Sequence, residues 1–359
     1  MKIGLFGFPM TGKSTLFHLL TGAPLPAYRT GRGEAQLAVS KVPDPRLYRL
    51  SELHNPKKTT PATVEYLDLP SMEKGHAMDV LPLDELRTVD ALAHVVRAFE
   101  DESIAHAEGT IDPARDVATM ETEFLLADHT IAERRVEKLD QMVRKTNRDD
   151  YKKDLELMRK VLAELEAGVP LRNVPFDDSE AFRLKGFTFL TLKPLLIVVN
   201  AGESDIAHVE EGPAAFGLEE VAGQPSTEVV ALSAKIEAEI AELDAEERTV
   251  FMEDLGIRET ALDRVIHASY HLLGYISFFT VGEGECRAWT IPRGMNARSA
   301  GSAIHSDIER GFIRAEVVPY DDLVEVGHWD NCRNKGKMRL EGKDYEVKDG
   351  DAIVFRFNV

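Results

Sequence analysis

KIGLFGFPMTGKSTLFHLL, Lys2 to Leu20, decides how the rest of this chain is read. The apolar run Lys2 to Phe6 predicts a strand and Ser14 to Leu20 predicts a helix, with G-x-x-x-x-G-K-S from Gly7 to Ser14 between them. A strand, that spacing and a helix together make a phosphate-binding loop. Gly7 and Gly12 let the backbone curl so that consecutive N–H groups point at phosphate oxygens. Met10, Thr11, Gly12, Lys13, Ser14 and Thr15 are the expected cradle. Lys13 brings a point charge to the β/γ-phosphates, and the Ser14 hydroxyl is an expected Mg²⁺ ligand. The positive end of the following helix adds to the same site.

A chain of 359 residues exceeds what one core usually serves, so two or three domains are expected. The 43% hydrophobic and 29% charged content is that of a soluble globular protein. No apolar run approaches the ~20 residues that cross a bilayer, and no signal-peptide pattern precedes the first strand, so a cytoplasmic protein without membrane partners is expected. Cys286 and Cys332 are too few for a disulfide framework and read as inert thiols. The net charge of −19 argues against a generic polyanion binder, and no DNA partner is expected. The charge is uneven, however. Residues 276 to 359 hold 12 Lys and Arg against 14 Asp and Glu, a net of −2, which leaves −17 on the other 275 residues. Any contact with RNA is therefore expected in the C-terminal part.

Working outward, Thr63 to Leu69, Ala91 to Phe99, Leu195 to Asn200 and Glu228 to Leu232 read as further strands alternating with helices. That rhythm predicts an α/β domain with a parallel-rich sheet. Pro113 to Ala167 has another texture, nearly free of Gly and Pro. Leu155, Met158, Leu162 and Leu165 recur at helical spacing, and Lys145 to Asp150 reads as the turn of a helical hairpin. The last ~80 residues read as a small β-rich domain with DG turns and one helix near Ala297 to Gly311.

Three further places carry chemistry. Asp68 closes the strand VEYLD, where a carboxylate can hold the Mg²⁺ shell. Asn200 to Glu203 (NAGE) and Ser233 to Lys235 (SAK) follow later strands at their carboxyl ends, where a base is read. Asn200, Glu203, Ser233 and Ala234 are the candidate base contacts.

GFPMTGKSTLF, PDPRL (43–47), HVVRAFE (94–100), FLTLKP (189–194), IAELD (240–244), RAWTIP (287–292), IERGFIRAE (308–316) and GKDYEVKDGD (342–351) closely resemble the YchF family of Obg-like ATPases across nearly the whole chain. The resemblance implies a P-loop G domain over 1–115 and 190–275, an inserted α-helical coiled-coil hairpin over 116–189 and a C-terminal β-grasp TGS domain over 276–359. It implies ribosome or ribosomal RNA association and ATP, or also GTP, as substrate with Mg²⁺. Adenine is implied because N-x-x-E, with Ala201 in place of a lysine, replaces the guanine reader N-K-x-D. It also gives His106 a water-orienting role beside Lys13 as catalytic residues.

The switches depart from the family. DLPS puts Ser71 behind Pro70 where a glycine is usual, Arg32 stands where a threonine is usual with Thr30 two residues away, and KGHAMDVLPL shortens a glycine-rich loop. Two readings follow, a slowly hydrolysing regulatory ATPase and a hydrolysis-impaired nucleotide-binding scaffold. In the TGS domain, Arg333, Lys335, Lys337, Arg339 and Lys343 form either a basic strip for RNA or a solvated face.

Overall fold

The computed structural model describes residues 1–24, 35–71, 83–104, 106, 108–254 and 259–358. Thr30, Arg32 and all of KGHAMDVLPL before its last residue lie outside them. The chain forms two compact units, Met1–Ala38 with Glu65–Ala268, and Val39–Val64 with Ser269–Val359.

In chain order the first strands are β1 (Lys2–Phe6), β2 (Gln36–Lys41), β3 (Thr59–Thr60), β4 (Thr63–Asp68), β5 (Ala91–Ala98), β6 (Leu195–Ala201) and β7 (Thr227–Leu232). All but β3 join one sheet in the order β2-β4-β1-β5-β6-β7, and the pairs β1/β4, β1/β5, β5/β6 and β6/β7 are parallel. Every residue of β6 is buried, which is why LLIVVNA reads as a continuous apolar run and not as an alternation. Helix α1 (Lys13–Thr21) starts at Gly12 and stops at Gly22, whose left-handed φ of 68° and N–H bond to the His18 carbonyl close it.

The expected hairpin is two helices, α3 (Pro113–Thr146) and α4 (Asp149–Glu166), following α2 (Pro45–His54) in chain order. Asp112 caps α3 through the Arg115 N–H, Pro113 opens it, and Asn147 at φ 50° ends it inside the stretch expected to turn. At 1.5 Å per residue, its 34 residues span about 51 Å. Ala132, Leu139, Leu155, Met158, Val161 and Leu165 make the seam between the two helices. The root of α3 belongs elsewhere, since Val117, Met120 and Phe124 pack with Phe6, Leu92 and Val96 of the sheet. The hairpin is thus seated on the nucleotide-binding unit by the first three turns of its longer helix.

His94 on β5 lies in that seat, its ring stacked on Phe6 with centroids 4.6 Å apart. Burial drives its pKa down to about 3. The folded chain keeps this imidazole neutral while the unfolded chain protonates it below about pH 6.5, so stability falls as pH drops from 6.5 towards 3, by about 1.4 kcal/mol per unit. His94→Phe keeps the stacking and removes the titration. Urea unfolding at pH 7 and pH 5 is expected to show a gap about 2 kcal/mol smaller than in the wild type; an equal gap would acquit His94.

The second unit adds β8 (Tyr275–Val281), β9 (Cys286–Pro292), β10 (Phe312–Pro319), β11 (Arg339–Glu341) and β12 (Asp351–Phe357) in the order β11-β10-β12-β8-β9-β3. The parallel pair β8/β12 is flanked by the antiparallel pairs β8/β9 and β10/β12, a β-grasp arrangement. The helix expected near Ala297 to Gly311 is broken into Ala297–Ala300, a 3₁₀ turn Gly301–Ala303 and Ser306–Arg310. Ala297, Ala300 and Ile308 bury themselves against Phe278, Ile291, Val317 and Phe355. Cys286 and Cys332 are buried and burial raises both thiols, as inert side chains require.

Val39–Val64, read from the sequence as part of the 1–115 domain, is built into this second unit. Strand β3 pairs with β9 through Thr59 and Thr60, and Leu47 and Leu50 of α2 are fully buried. Arg46 is gripped by Asp44 (Nη2 to Oδ2, 2.9 Å) and Asp349 (Nη1 to Oδ2, 2.8 Å), and its guanidinium lies over Phe279. The other carboxylate oxygen of Asp349 accepts the Ser277 N–H at 2.9 Å. One arginine therefore ties residues more than 300 positions apart.

Candidate nucleotide-binding site

The phosphate loop hangs between β1 and α1, and its glycines are required by neighbours as much as by curvature. A Cβ on Gly7 would fall well under 3.0 Å from the backbone carbonyl oxygen of Val95. Gly12 has φ 87°, and a Cβ there would collide with the Asn200 carboxamide. Met10 takes a left-handed φ of 62° and leaves its side chain 45% exposed at the mouth. Thr11 is buried, its hydroxyl donating to the Phe8 carbonyl at 3.2 Å. Thr15 sits in the first turn of α1, half-buried.

Lys13 and Ser14 meet Asp68 across the parallel pair β1/β4. The Lys13 ammonium donates to Asp68 Oδ1 and to the Leu69 carbonyl. Ser14 Oγ donates to Asp68 Oδ2 at 2.9 Å. Lys13 is 5% exposed and Asp68 8%, so charge and counter-charge stand together in a largely dry place. This set fits Mg²⁺, which selects hard oxygen donors and keeps part of its water shell: a hydroxyl and a carboxylate lie side by side and leave most positions to phosphate and water. Among the described residues no cluster of three or more His, Cys, Asp or Glu suits a metal.

Asn200 does more than its position in the sequence suggests. Its Nδ2 donates to the Thr11 carbonyl at 3.0 Å, and its Oδ1 accepts the Ala234 N–H at 3.0 Å. The side chain is a brace between the phosphate loop and the SAK loop, and both ends of its amide are spent on backbone. Glu203 is ion-paired with Lys235, and this pairing raises the lysine pKa. Ser233 is buried, and its hydroxyl has no hydrogen-bond partner among the described residues. The structure brings together Gly12, Thr11, Asn200 and Ala234 in one bonded chain, and Glu203 with Lys235 in another.

His106 is held by its own loop. Its Nδ1 accepts the Glu108 N–H at 3.1 Å, which leaves the proton of a neutral ring on Nε2. Nε2 lies 3.3 Å from Asp116 Oδ2 without the alignment of a hydrogen bond. Asp116 also receives Arg115 through Nε at 3.0 Å and Nη2 at 2.7 Å. Arg97, to which no motif gives a role, organises this loop. Buried at the end of β5, it donates to the carbonyls of Phe99, Ile104 and Asp101 and lies over the Phe99 ring. The visible signal was a lone arginine inside the apolar run ALAHVVRAF. Of the second switch, Pro70 is half-buried and Ser71 is exposed, directly beyond the carbonyl that Lys13 holds.

A loop of this form, with its lysine and serine converging on a carboxylate at the end of the adjacent parallel strand, defines a P-loop nucleotide-binding protein. Comparison with known proteins narrows the class. The family described as "YchF-GTPase_C: Protein of unknown function (DUF933)" matches residues 275–358. The chain is 42% identical to the Ribosome-binding ATPase YchF of Bacillus subtilis over 100% of both chains, and 43% identical to that of Haemophilus ducreyi over 100% of this chain and 99% of the relative. A solved structure, the YchF GTPase of Schizosaccharomyces pombe, is similar with a TM-score of 0.86 and 28% identity, covering 99% of this chain and 97% of that one. The chain belongs to the YchF family.

Proposed function

We propose that this chain is a ribosome-binding regulatory ATPase that binds a nucleoside triphosphate with Mg²⁺ and hydrolyses it slowly. The convergence of Lys13 and Ser14 on Asp68 carries the reading, because it assembles a phosphate-neutralising charge and two metal-ligand oxygens at the mouth of the loop. The names of the full-length relatives supply the ribosome as partner. Among the described residues no helix is long and apolar enough to cross a membrane.

Ser14 and Asp68 would hold Mg²⁺, which would supply positive charge against the charge that develops on the phosphates. The N–H groups of Gly12 to Thr15 hold the β-phosphate, and a γ-phosphate oxygen competes with Asp68 and Leu69 for the Lys13 ammonium. The relatives' names disagree on the base, ATPase against GTPase. Adenine is favoured because the Glu203 carboxylate, which would have to accept guanine N–H groups, is paired with Lys235. Asn200 supports the base from behind, through the backbone it fixes.

His106 positions the attacking water once it turns from Asp116, and its Nδ1, released from the Glu108 N–H, is the ring atom that accepts the water's proton. His106→Ala is expected to lower phosphate release from ATP by about 10²-fold, the usual size of such a contribution, with nucleotide affinity kept within about twofold. Release unchanged from wild type would remove His106 from the mechanism. The scaffold reading is favoured by Pro70, which stiffens the loop behind Asp68. Multiple-turnover phosphate release with ATP and with GTP, run beside ribosome cosedimentation, separates the two: tight nucleotide and ribosome binding without turnover would establish the scaffold, and no ribosome binding would sink both.

A further inference from the structure

The outward face of the C-terminal sheet carries a cluster that the sequence does not announce. Arg314 and Glu316 on β10 stand on one face with their ladder partners, Arg356 and Val354 on β12 and Leu340 on β11. Ala315 and Val317, which alternate with them, are buried in the core. Glu316 is only 1% exposed, and three guanidinium groups surround it. Arg356 binds it through Nε and Nη2, each at 3.0 Å, while Arg333, from the helix Trp329–Asn334, and Arg314 approach to 3.5 and 3.6 Å. The Arg356 hydrogen bond, with the other two charges behind it, holds the Glu316 carboxyl below its ordinary pKa.

Three positive charges share one negative charge, so this face keeps a surplus of two. Each arginine side chain is still about half exposed, at 51, 55 and 51% for Arg314, Arg333 and Arg356. Among the described residues neither Arg314 nor Arg333 has a carboxylate other than Glu316 within ion-pair distance. Arg314 and Arg333 approach Glu316 as ion pairs without a hydrogen bond and keep about half of their side-chain surface exposed, so guanidinium N–H groups stay available to a further anion. Leu340, 64% exposed, adds an apolar surface beside them. The basic strip read from the sequence is divided by the structure. Lys337 is neutralised by Asp322 at 2.7 Å, and Arg339 is drawn to Tyr345 and Glu341, so of that strip Arg333 joins the face.

We propose that Arg314, Arg333 and Arg356 form a docking surface for the phosphate backbone of RNA. Guanidinium forks match phosphate oxygens two at a time, and an apolar neighbour accepts a ribose or an unstacked base. The rest of the chain is strongly acidic, so long-range attraction to RNA is absent and the contact acts only at short range. Such a surface selects RNA already presented in a fixed shape. The inference rests on the proposed ribosome association and names the face that makes it.

The test compares wild type with Arg314→Ala/Arg333→Ala, which leaves the Arg356–Glu316 pair to hold the sheet, and with Arg310→Ala/Lys348→Ala, an equal charge change at exposed ion pairs of the same unit. Cosedimentation with intact ribosomes and filter binding to deproteinised ribosomal RNA are each measured from 50 to 300 mM salt. The first double variant is expected to bind both at least about tenfold more weakly and to flatten the slope of log K against log salt by roughly 1.5, two lost phosphate contacts, while the second matches wild type. RNA binding by the first variant equal to wild type overturns the proposal, and weaker ribosome binding alone would reassign the face to an acidic ribosomal protein. Wild-type binding to RNA but not to ribosomes would refute the ribosome association while the variant still tests the face. Wild-type binding to neither defeats both. Unfolding midpoints and ATP affinity equal to wild type guard against a folding defect.

Discussion

Lys13→Ala is expected to lower phosphate release from ATP by about 10²- to 10³-fold, the usual cost of removing one preorganised charge from a developing anion. The expectation has two sources in the structure. The ammonium sits at the phosphate loop with 5% exposure, so its charge acts through little water. The same ammonium also neutralises Asp68 and caps the Leu69 carbonyl. Its removal leaves Asp68 facing Ser14 alone, and breaking a buried pair of this kind costs about 3 kcal/mol. Turnover and urea unfolding are therefore measured on the same preparation, below the unfolding midpoint. Stability lost with turnover retained would mean that Lys13 serves the fold only, and that another group neutralises the phosphates.

Gly7→Ala is expected to be nearly as damaging, by a different route. The added methyl group meets the Val95 carbonyl oxygen, a backbone atom of a central strand paired on both sides, which cannot yield as a side chain could. The loop has to move instead. Overpacking of this sort costs about 1–3 kcal/mol, and displacement of the N–H groups beyond Met10 is expected to weaken nucleotide binding at least about tenfold. Titration with a fluorescent ATP analogue checks it; affinity within twofold of wild type would show that the loop tolerates the shift.

Much of this was legible in the sequence because it is local. Lys2 to Phe6 is a strand with those same ends, and the tract from Pro113 to Ala167 is a helical hairpin that turns where the apolar spacing lapses. The phosphate loop and Asp68 could be placed because each follows a short buried strand. What stayed hidden depends on partners far away along the chain. Asn200 is a candidate base contact from its place after β6; that its amide also bonds Thr11, 189 positions earlier, no spacing rule reports. Strand β3 is two residues long and gains its identity only by pairing with Cys286 and Arg287. Glu316 and its three arginines are scattered from 314 to 356 and meet because two strands and a short helix present them together.

The insertion of Val39–Val64 into the C-terminal unit has a consequence for synthesis. Leu47 and Leu50 are synthesised more than 220 codons ahead of β8 and β9, the strands that α2 packs against. At 5–20 residues per second, that is a delay of roughly 10–50 s. Through that interval the nucleotide-binding unit can complete its own sheet with Leu47 and Leu50 of α2 still unsheltered on the excursion between β2 and β4. The surface that shelters Leu47 and Leu50 is the last part of the chain to be made.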